Sequence, residues 1–443
     1  MNTNIETYLK TLSGQLFNEL KSDEDLSVSL HSEQSQFYRF NQSKVRQNTS
    51  VNQHEVYMML NKTKKTLHAK FNLTLNPDYD FKKAISQLQI LRNESLQVDE
   101  NPQYVDMKNN GQSSSKYTCD RPSDSEILGI ITDQLKTDDC AGFWTSGPVR
   151  KASFNSKGQA HFFESDHFFF DYSFYNGPKA AKGFYSQKNW GEAEFKNQVA
   201  STRQKLSLLS KPVQNVAKGK YRVFLEPMAV AEIIGLLSWG AFSLNMHNQG
   251  RAPLKKLKDR EILLSKKFSV MENLDLGYVP AFNTLGEMAS KQLPLIENGE
   301  LKNMLVSTAS SQEYKVPSNF AELHEALKSP EIRAGTLDKS NVLKELGSGL
   351  YLSNLHYINW SDIPTARLTG MTRFACFWVQ NGEIAGPIQD LRFDETIYNL
   401  FGTNLVELTS YQENFTSTET YGRRSLGGLK TPGALIDSFN FTL

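Results

Sequence analysis

Between Leu225 and Leu237 the chain reads Leu-Glu-Pro-Met-Ala-Val-Ala-Glu-Ile-Ile-Gly-Leu-Leu, and Glu232 is the one charged group after Pro227. Pro227 suits the first turn of a helix, where the N–H it lacks has no intrahelical partner. Glu226 beside it suits the positive end of the helix dipole. A carboxylate in so apolar a helix faces a cleft, a partner or a metal, because burying it unpaired is expensive. A zinc-hydrolase helix brackets such a glutamate with histidines. Here the bracketing positions are Ala231 and Leu236, and neither can ligate a metal. Without a metal a bound water keeps a pKa near that of bulk water, so Glu232 alone generates no hydroxide at a useful rate.

Other chemistry-bearing residues are weaker candidates. His161 and His167 fall on one face of an aromatic strand run, with Glu164 pointing away and Asp166 and Asp171 read as off that face, so alternation argues against a metal. His324-Glu325 begins like a zinc helix, but no histidine follows at 328 or 329. Cys140 lies beside Asp138 and Asp139, whose charge raises rather than lowers a thiol pKa. Cys376 sits among Phe374, Phe377 and Trp378 and reads as a packed core thiol. The basic stretch from Arg251 to Lys267 lacks stacking aromatics, and net charge over 443 residues is only +1, so nucleic acid is not expected as a partner. His247, Glu287 and His356 are scattered and show no ligand spacing.

Elements that must position these residues follow from periodicity. Ile5, Leu9, Leu12, Leu16 and Leu20 make one helical stripe, and Phe81 to Leu91 another. Residues 26–75 alternate like antiparallel strands. Polar, breaker-rich Asn109–Ser115 reads as a loop, followed by a helix near 123–135 capped by Ser123 or Asp124. Residues 141–205 hold aromatic strands and then a helix. From Tyr221 the chain runs strand, apolar helix, then strands and hairpins. This is an α+β pattern: an N-terminal α/β region with an antiparallel sheet and helices, then a mainly antiparallel C-terminal region carrying the Glu232 helix. Expected units are 1–105, 106–205 and 206–443, since the chain is too long for one ordinary core. Three irregularly spaced cysteines suggest free thiols in a reducing compartment. No apolar run spans a membrane, and the start from Met1 to Thr7 shows no secretion signal.

Several stretches together resemble the TldD/TldE (PmbA) family. Ala231-Glu232-Ile233-Ile234-Gly235-Leu236 is similar to the His-Glu-x-x-x-His motif of its zinc-bearing TldD members, with both histidines replaced. Leu368-Thr369-Gly370 running to Asn381-Gly382-Glu383-Ile384 resembles the family's threonine-glycine turn and following hairpin, with Phe377-Trp378-Val379 closer to the TldE branch. Leu293–Leu301 and Phe37–Thr49 are similar to two further hairpins. Tyr421-Gly422 falls where TldD members place a cysteine ligand before a glycine, and tyrosine cannot replace that thiolate.

The resemblance implies a cytoplasmic, metal-free TldE-like subunit, inactive alone, with a vestigial site of Ala231, Glu232, Gly235, Leu236, Tyr421 and Gly422. Its implied partner is a TldD-like zinc metallopeptidase, or a second copy of itself in a dimer, with zinc held by the partner. The implied substrate of such a pair is an unfolded or modified peptide, held extended. Two alternatives stay open: a stand-alone homodimeric binder of peptide or nucleic acid, as in a gyrase-modulator reading, and a metallopeptidase using ligands such as His247, Glu287 or His356.

Overall fold

The apolar stripe at the start becomes one face of helix α1 (Ile5–Phe17), whose first N–H groups are capped by the Asn4 side chain. The computed structural model describes residues 4–442, so Met1–Thr3, part of the stretch read as lacking a secretion signal, lie outside the described residues. Strands β1 (Glu24–Asn41), β2 (Lys44–Lys62) and β3 (Lys65–Asn72) follow, then α2 (Pro77–Glu94), which starts at Pro77 under an Asn76 cap. Leu26, Val28 and Leu30 pack with Val56, Met58 and Leu60 under α1 and α2. The alternate positions Ser27, Ser29, His31, Glu33 and Ser35 therefore point to the opposite face.

After α2 comes β4 (Gln112–Tyr117), a short strand parallel to β6, where the sequence reading expected a loop. Its serines have little strand propensity, but pairing to an already formed β6 satisfies the backbone whatever the side chains. Helix α3 (Asp124–Leu135) opens on a full capping box between Ser123 and Glu126. Strands β5 (Asp139–Asn155), β6 (Ala160–Asn176) and β7 (Lys179–Tyr185) lead to α4 (Glu192–Leu208). Trp144, Phe168, Phe170, Tyr172 and Phe174 pack against Ile127 and Ile131 of α3 and Phe195 and Val199 of α4. All seven strands form one sheet, ordered β3-β2-β1-β5-β6-β4 with β7 also on β6, so strands on both sides of residue 105 share it. Helices cover one face of this sheet. Asp171 has the parity of His167 along β6, paired through Phe143 and Gly147 without a bulge, so it lies on the same face; the expectation that it lies off that face miscounted the alternation.

The second sheet starts with β8 (Gly219–Leu225), followed by α5 (Pro227–Leu237). Its other strands are β9 (Val270–Asn273), β10 (Gln292–Glu297), β11 (Glu300–Leu301), β12 (Pro330–Ile332), β13 (Gly349–Asp362) and β14 (Arg367–Gln380). They continue with β15 (Glu383–Pro387), β16 (Arg392–Thr396), β17 (Leu405–Thr416) and β18 (Gly428–Phe441). The order is β11-β10-β9-β12-β18-β16-β14-β13-β8, with β15 on β14 and β17 on β18. Most pairings are antiparallel; β12–β18 and β13–β8 are parallel, so the sheet is mixed. Asn298-Gly299 and Asn381-Gly382 turn the β10–β11 and β14–β15 hairpins with both residues at positive φ, as Asn-Gly type I′ turns do. The molecule is α+β, and among the described residues no helix is long and apolar enough to cross a membrane.

A strap between β17 and β18 crosses to the uncovered face of the first sheet, and Arg424 on it is 2 % exposed. Its guanidinium donates to the Gly147 carbonyl at 2.9 Å, the His167 carbonyl at 3.0 Å and the Ser35 hydroxyl at 3.3 Å. Its backbone N–H donates to Glu33 at 3.3 Å. Gly147 sits at φ +115°, and a Cβ there would stand 2.1 Å from the Gln34 carbonyl oxygen. Only glycine therefore permits the kink at this break in β1–β5 pairing. Replacing Arg424 with Met should lower the unfolding free energy by about 3 kcal/mol, because buried acceptors lose their donor. Tyr421→Ala, at a side chain 95 % exposed, should change it by less than about 0.5 kcal/mol. Urea titrations of both variants check the contrast.

Candidate functional site

Helix α5 buries Ala229, Val230, Ile233, Ile234 and Leu237 against β13 and β18. At 3.6 residues per turn, Met228, Ala231, Glu232 and Gly235 then fall on one outward strip. Each of these four is exposed or half-buried. Leu236 sits at the margin of the strip and is buried in the core at 4 % exposure. Positions 231 and 236 are five residues apart, about 140° around a regular helix. The helix is α throughout, with no π turn to bring the two onto one face.

Glu226 precedes the helix without a side-chain capping bond. Its carboxylate instead accepts from Lys205 of α4 at 2.6 Å and from the Tyr351 hydroxyl, while its N–H donates to the Leu352 carbonyl at 3.0 Å. Glu226 thus ties α4, α5 and β13 together. Glu232 is accessible along the strip, yet flanking protein desolvates it and raises its pKa; Lys182 of β7 opposes that rise and Asp171 of β6 adds to it. Those two residues form an ion pair of 2.6 Å. The strip therefore faces the Asp171–Lys182 pair of the first sheet.

Tyr421 and Gly422 lie elsewhere. Gly422 accepts from Gln53 of β2 at 2.9 Å, and Arg423 pairs with Glu55, also of β2. The structure thus brings Ala231, Glu232 and Gly235 together, turns Leu236 inward and places Tyr421 and Gly422 against another strand. Zinc does not fit this set: one carboxylate stands beside an alanine and a glycine, Leu236 is spent on the core, and Tyr421 and Gly422 lie against β2. Among the described residues no group of three His, Cys, Asp or Glu converges as metal ligands would.

The remaining candidates have structural partners. His161 is buried, stacks on Phe282 with ring centroids 5.3 Å apart and meets the Ser113 hydroxyl at 2.8 Å. His167 lies near the Ser165 carbonyl, and burial holds its pKa well below the usual histidine value. His324 is exposed in a turn, and the buried Glu325 beside it accepts from Ser243, Asn245 and Ser307. His247 reaches the Ala241 carbonyl, Glu287 accepts from Thr308 and Asn283, and exposed His356 lies against Tyr357. Burial pushes the Cys140 thiol up to about 12, with Asp138 and Asp139 adding, and Cys376 up to about 11. All three cysteines are free. Lys255 pairs with Asp259 and Lys267 with Glu407, which consumes part of the basic stretch. The sequence reading missed His31 and Lys151, which strand register sets side by side over a cavity.

Residues 218–443 match the family model described as the PmbA/TldA metallopeptidase C-terminal domain. Three solved structures share the fold across nearly the whole chain. A protein from Thermotoga maritima, named as a proposed modulator of DNA gyrase, is 14% identical with a TM-score of 0.76, covering 99% of this chain and 100% of that one. TldE from Thermococcus kodakarensis is 14% identical with a TM-score of 0.76, covering 98% and 100%. A second proposed gyrase modulator, from Bacteroides thetaiotaomicron, is 13% identical with a TM-score of 0.77, covering 100% of both. No curated protein sequence matches the chain. At these identities the structural likeness carries the fold alone.

The raised pKa of Glu232 has a stability consequence with a definite sign. When the folded pKa exceeds the unfolded one, ionisation disfavours the folded state above that range, and the cost vanishes below the unfolded value. Glu232→Gln should therefore unfold at higher urea than the parent at pH 7, and the gap should close as pH falls through the carboxylate range. A gap that stays constant from pH 7 to low pH would contradict this account.

Proposed function

The chain belongs to the PmbA/TldD (TldD/TldE) family of metallopeptidase-related proteins, and we propose that it serves there as a metal-free, non-catalytic subunit. Its partner in this reading is a TldD-like zinc peptidase, and the pair processes unfolded or modified peptides in the cytoplasm. The observation that supports the reading is the outward strip of α5. Where the resembling zinc helix carries histidines around its glutamate, this strip offers Ala231, Glu232 and Gly235, while Leu236 is spent on the core. A carboxylate without a metal lacks the means to activate water.

The role left to such a subunit is architectural: stabilising the active partner, closing its chamber and holding extended peptide. Strands that end a sheet can accept a peptide as an added strand. β3 ends the first sheet beyond β2, and β11 ends the second beyond β10.

The composition of the native complex tests the proposal. The chain, tagged at its own locus and purified gently, should give an intact mass for a one-to-one complex with a chain carrying a His-Glu-x-x-x-His helix. Metal analysis should find about one zinc per pair and none on the isolated chain. A bare homodimer at every ionic strength, or stoichiometric zinc on the isolated chain, would overturn it.

A further inference from the structure

A cavity of about 490 Å³ lies between the uncovered face of β1, β2 and β5 and the segments 279–284, 322–328 and 423–426. Strand register builds its floor. His31 of β1 stands directly opposite Lys151 of β5, and Ser29 stands between Tyr57 of β2 and Ser153 of β5. Cross-strand partners share a face, so these side chains meet.

The charges around the cavity are unevenly spent. Lys328 binds Glu322 at 2.8 Å, and Glu322 also accepts the Thr284 N–H at 3.0 Å and its hydroxyl at 2.7 Å. Arg423 pairs with Glu55 and lies over the Tyr57 ring. Lys151 has no ion-pair partner among the described residues. Burial, then the neighbouring Arg423 and Lys328, pull its pKa down to about 8 against the opposing pull of Glu322 and Glu55. Beside it His31 is 3 % exposed, and neither ring nitrogen has a hydrogen-bond partner. The backbone carbonyl of Arg424 faces this ring without closing a bond, and burial pushes the imidazole down to about 3, so it is neutral at physiological pH.

An unpaired ammonium held among buried groups, beside an imidazole kept neutral, is costly unless something binds it. One free ammonium matches the charge of a single carboxylate; a phosphate dianion would need more free cationic charge than remains here. The adjoining wall includes Met59, Val279, Phe282 and Leu426, which suits an apolar body behind the anionic head. The volume falls within the usual range for small-ligand pockets. We propose that this cavity binds a peptide through one free carboxylate, held by the Lys151 ammonium. Only the choice of a peptide, over another monocarboxylate, rests on the function proposed above.

Calorimetric titration of the isolated full chain tests this without any partner protein. Three probes are used: trialanine as the free acid, trialanine amide, and acetyl-Ala-Asp-Ala amide, which carries its carboxylate on a side chain. At least one carboxylate probe should bind about tenfold or more tightly than the amide, and which one binds identifies the chain terminus or the side chain as the source. Lys151→Met should abolish that preference and Lys151→Arg should keep most of it. Carbon-13 methylation of wild-type lysines gives an independent readout: one resonance titrating near 8 should move to higher pH when the preferred probe binds. Equal binding of all three probes, no binding up to about 5 mM, or a preference that survives Lys151→Met would overturn the proposal, even where the native complex is found as expected.

Discussion

Arg424 is out of water, and an arginine cannot lighten the cost of burial by giving up its proton at neutral pH. Desolvation pulls its pKa down to about 10, with Glu33 and Asp166 pulling the other way, so it stays charged. The structure surrounds that charge with oxygens: carbonyls of Gly147 and His167, the hydroxyl of Ser35, and Glu33 close by on its backbone. These acceptors come from three strands of the first sheet, while the arginine comes from the strap between β17 and β18. The two sheets are held in register by that requirement. A buried cation with several fixed acceptors specifies position more sharply than apolar contact can, because misplacement leaves both sides unsatisfied.

That joint explains why the first sheet has two different faces. One is covered by four helices and reads as ordinary alternating core. The other mixes serines, histidines, glutamates and a lysine with a stack of Phe37, Phe143, Phe169 and Phe184, and it is buried all the same, under the second half of the chain. Polar groups enclosed between two folded layers are either bonded to one another or left facing a cavity. Glu33 and Glu55 belong to the first kind; His31 and Lys151 belong to the second. Glu232 meets the same face farther along, opposite the Asp171–Lys182 pair. Its chemistry is set as much by the first sheet as by its own helix.

Local signals were legible where the physics is local. The Ser123–Glu126 capping box, the stripe of α1 and the Asn-Gly hairpins at 298–299 and 381–382 all form as their residues dictate. Strand β4 was not legible, because its pairing comes from β6 and not from its own serines. Helical phase, more than motif content, decides what α5 presents: Leu236 belongs to the core once the buried side is known. The placement of Tyr421 and Gly422 depends on where the strap crosses, which no local pattern encodes. His31 and Lys151 lie 120 positions apart, and only register makes them neighbours.

β18 pairs with β8, β12, β16 and β17, so its earliest partner emerges from the ribosome some two hundred residues before it does. The first sheet draws all its strands from residues 24–185 and can close during synthesis, whereas the second waits for its central strand. Arg424 stands just ahead of β18 and is delivered with it. Completion of the second sheet and its fastening to the first are therefore one late event. Until then the uncovered face of the first sheet stays open to solvent with its Phe37, Phe143 and Phe169 stack, so the wait for β18 is the interval in which the chain is most open to aggregation.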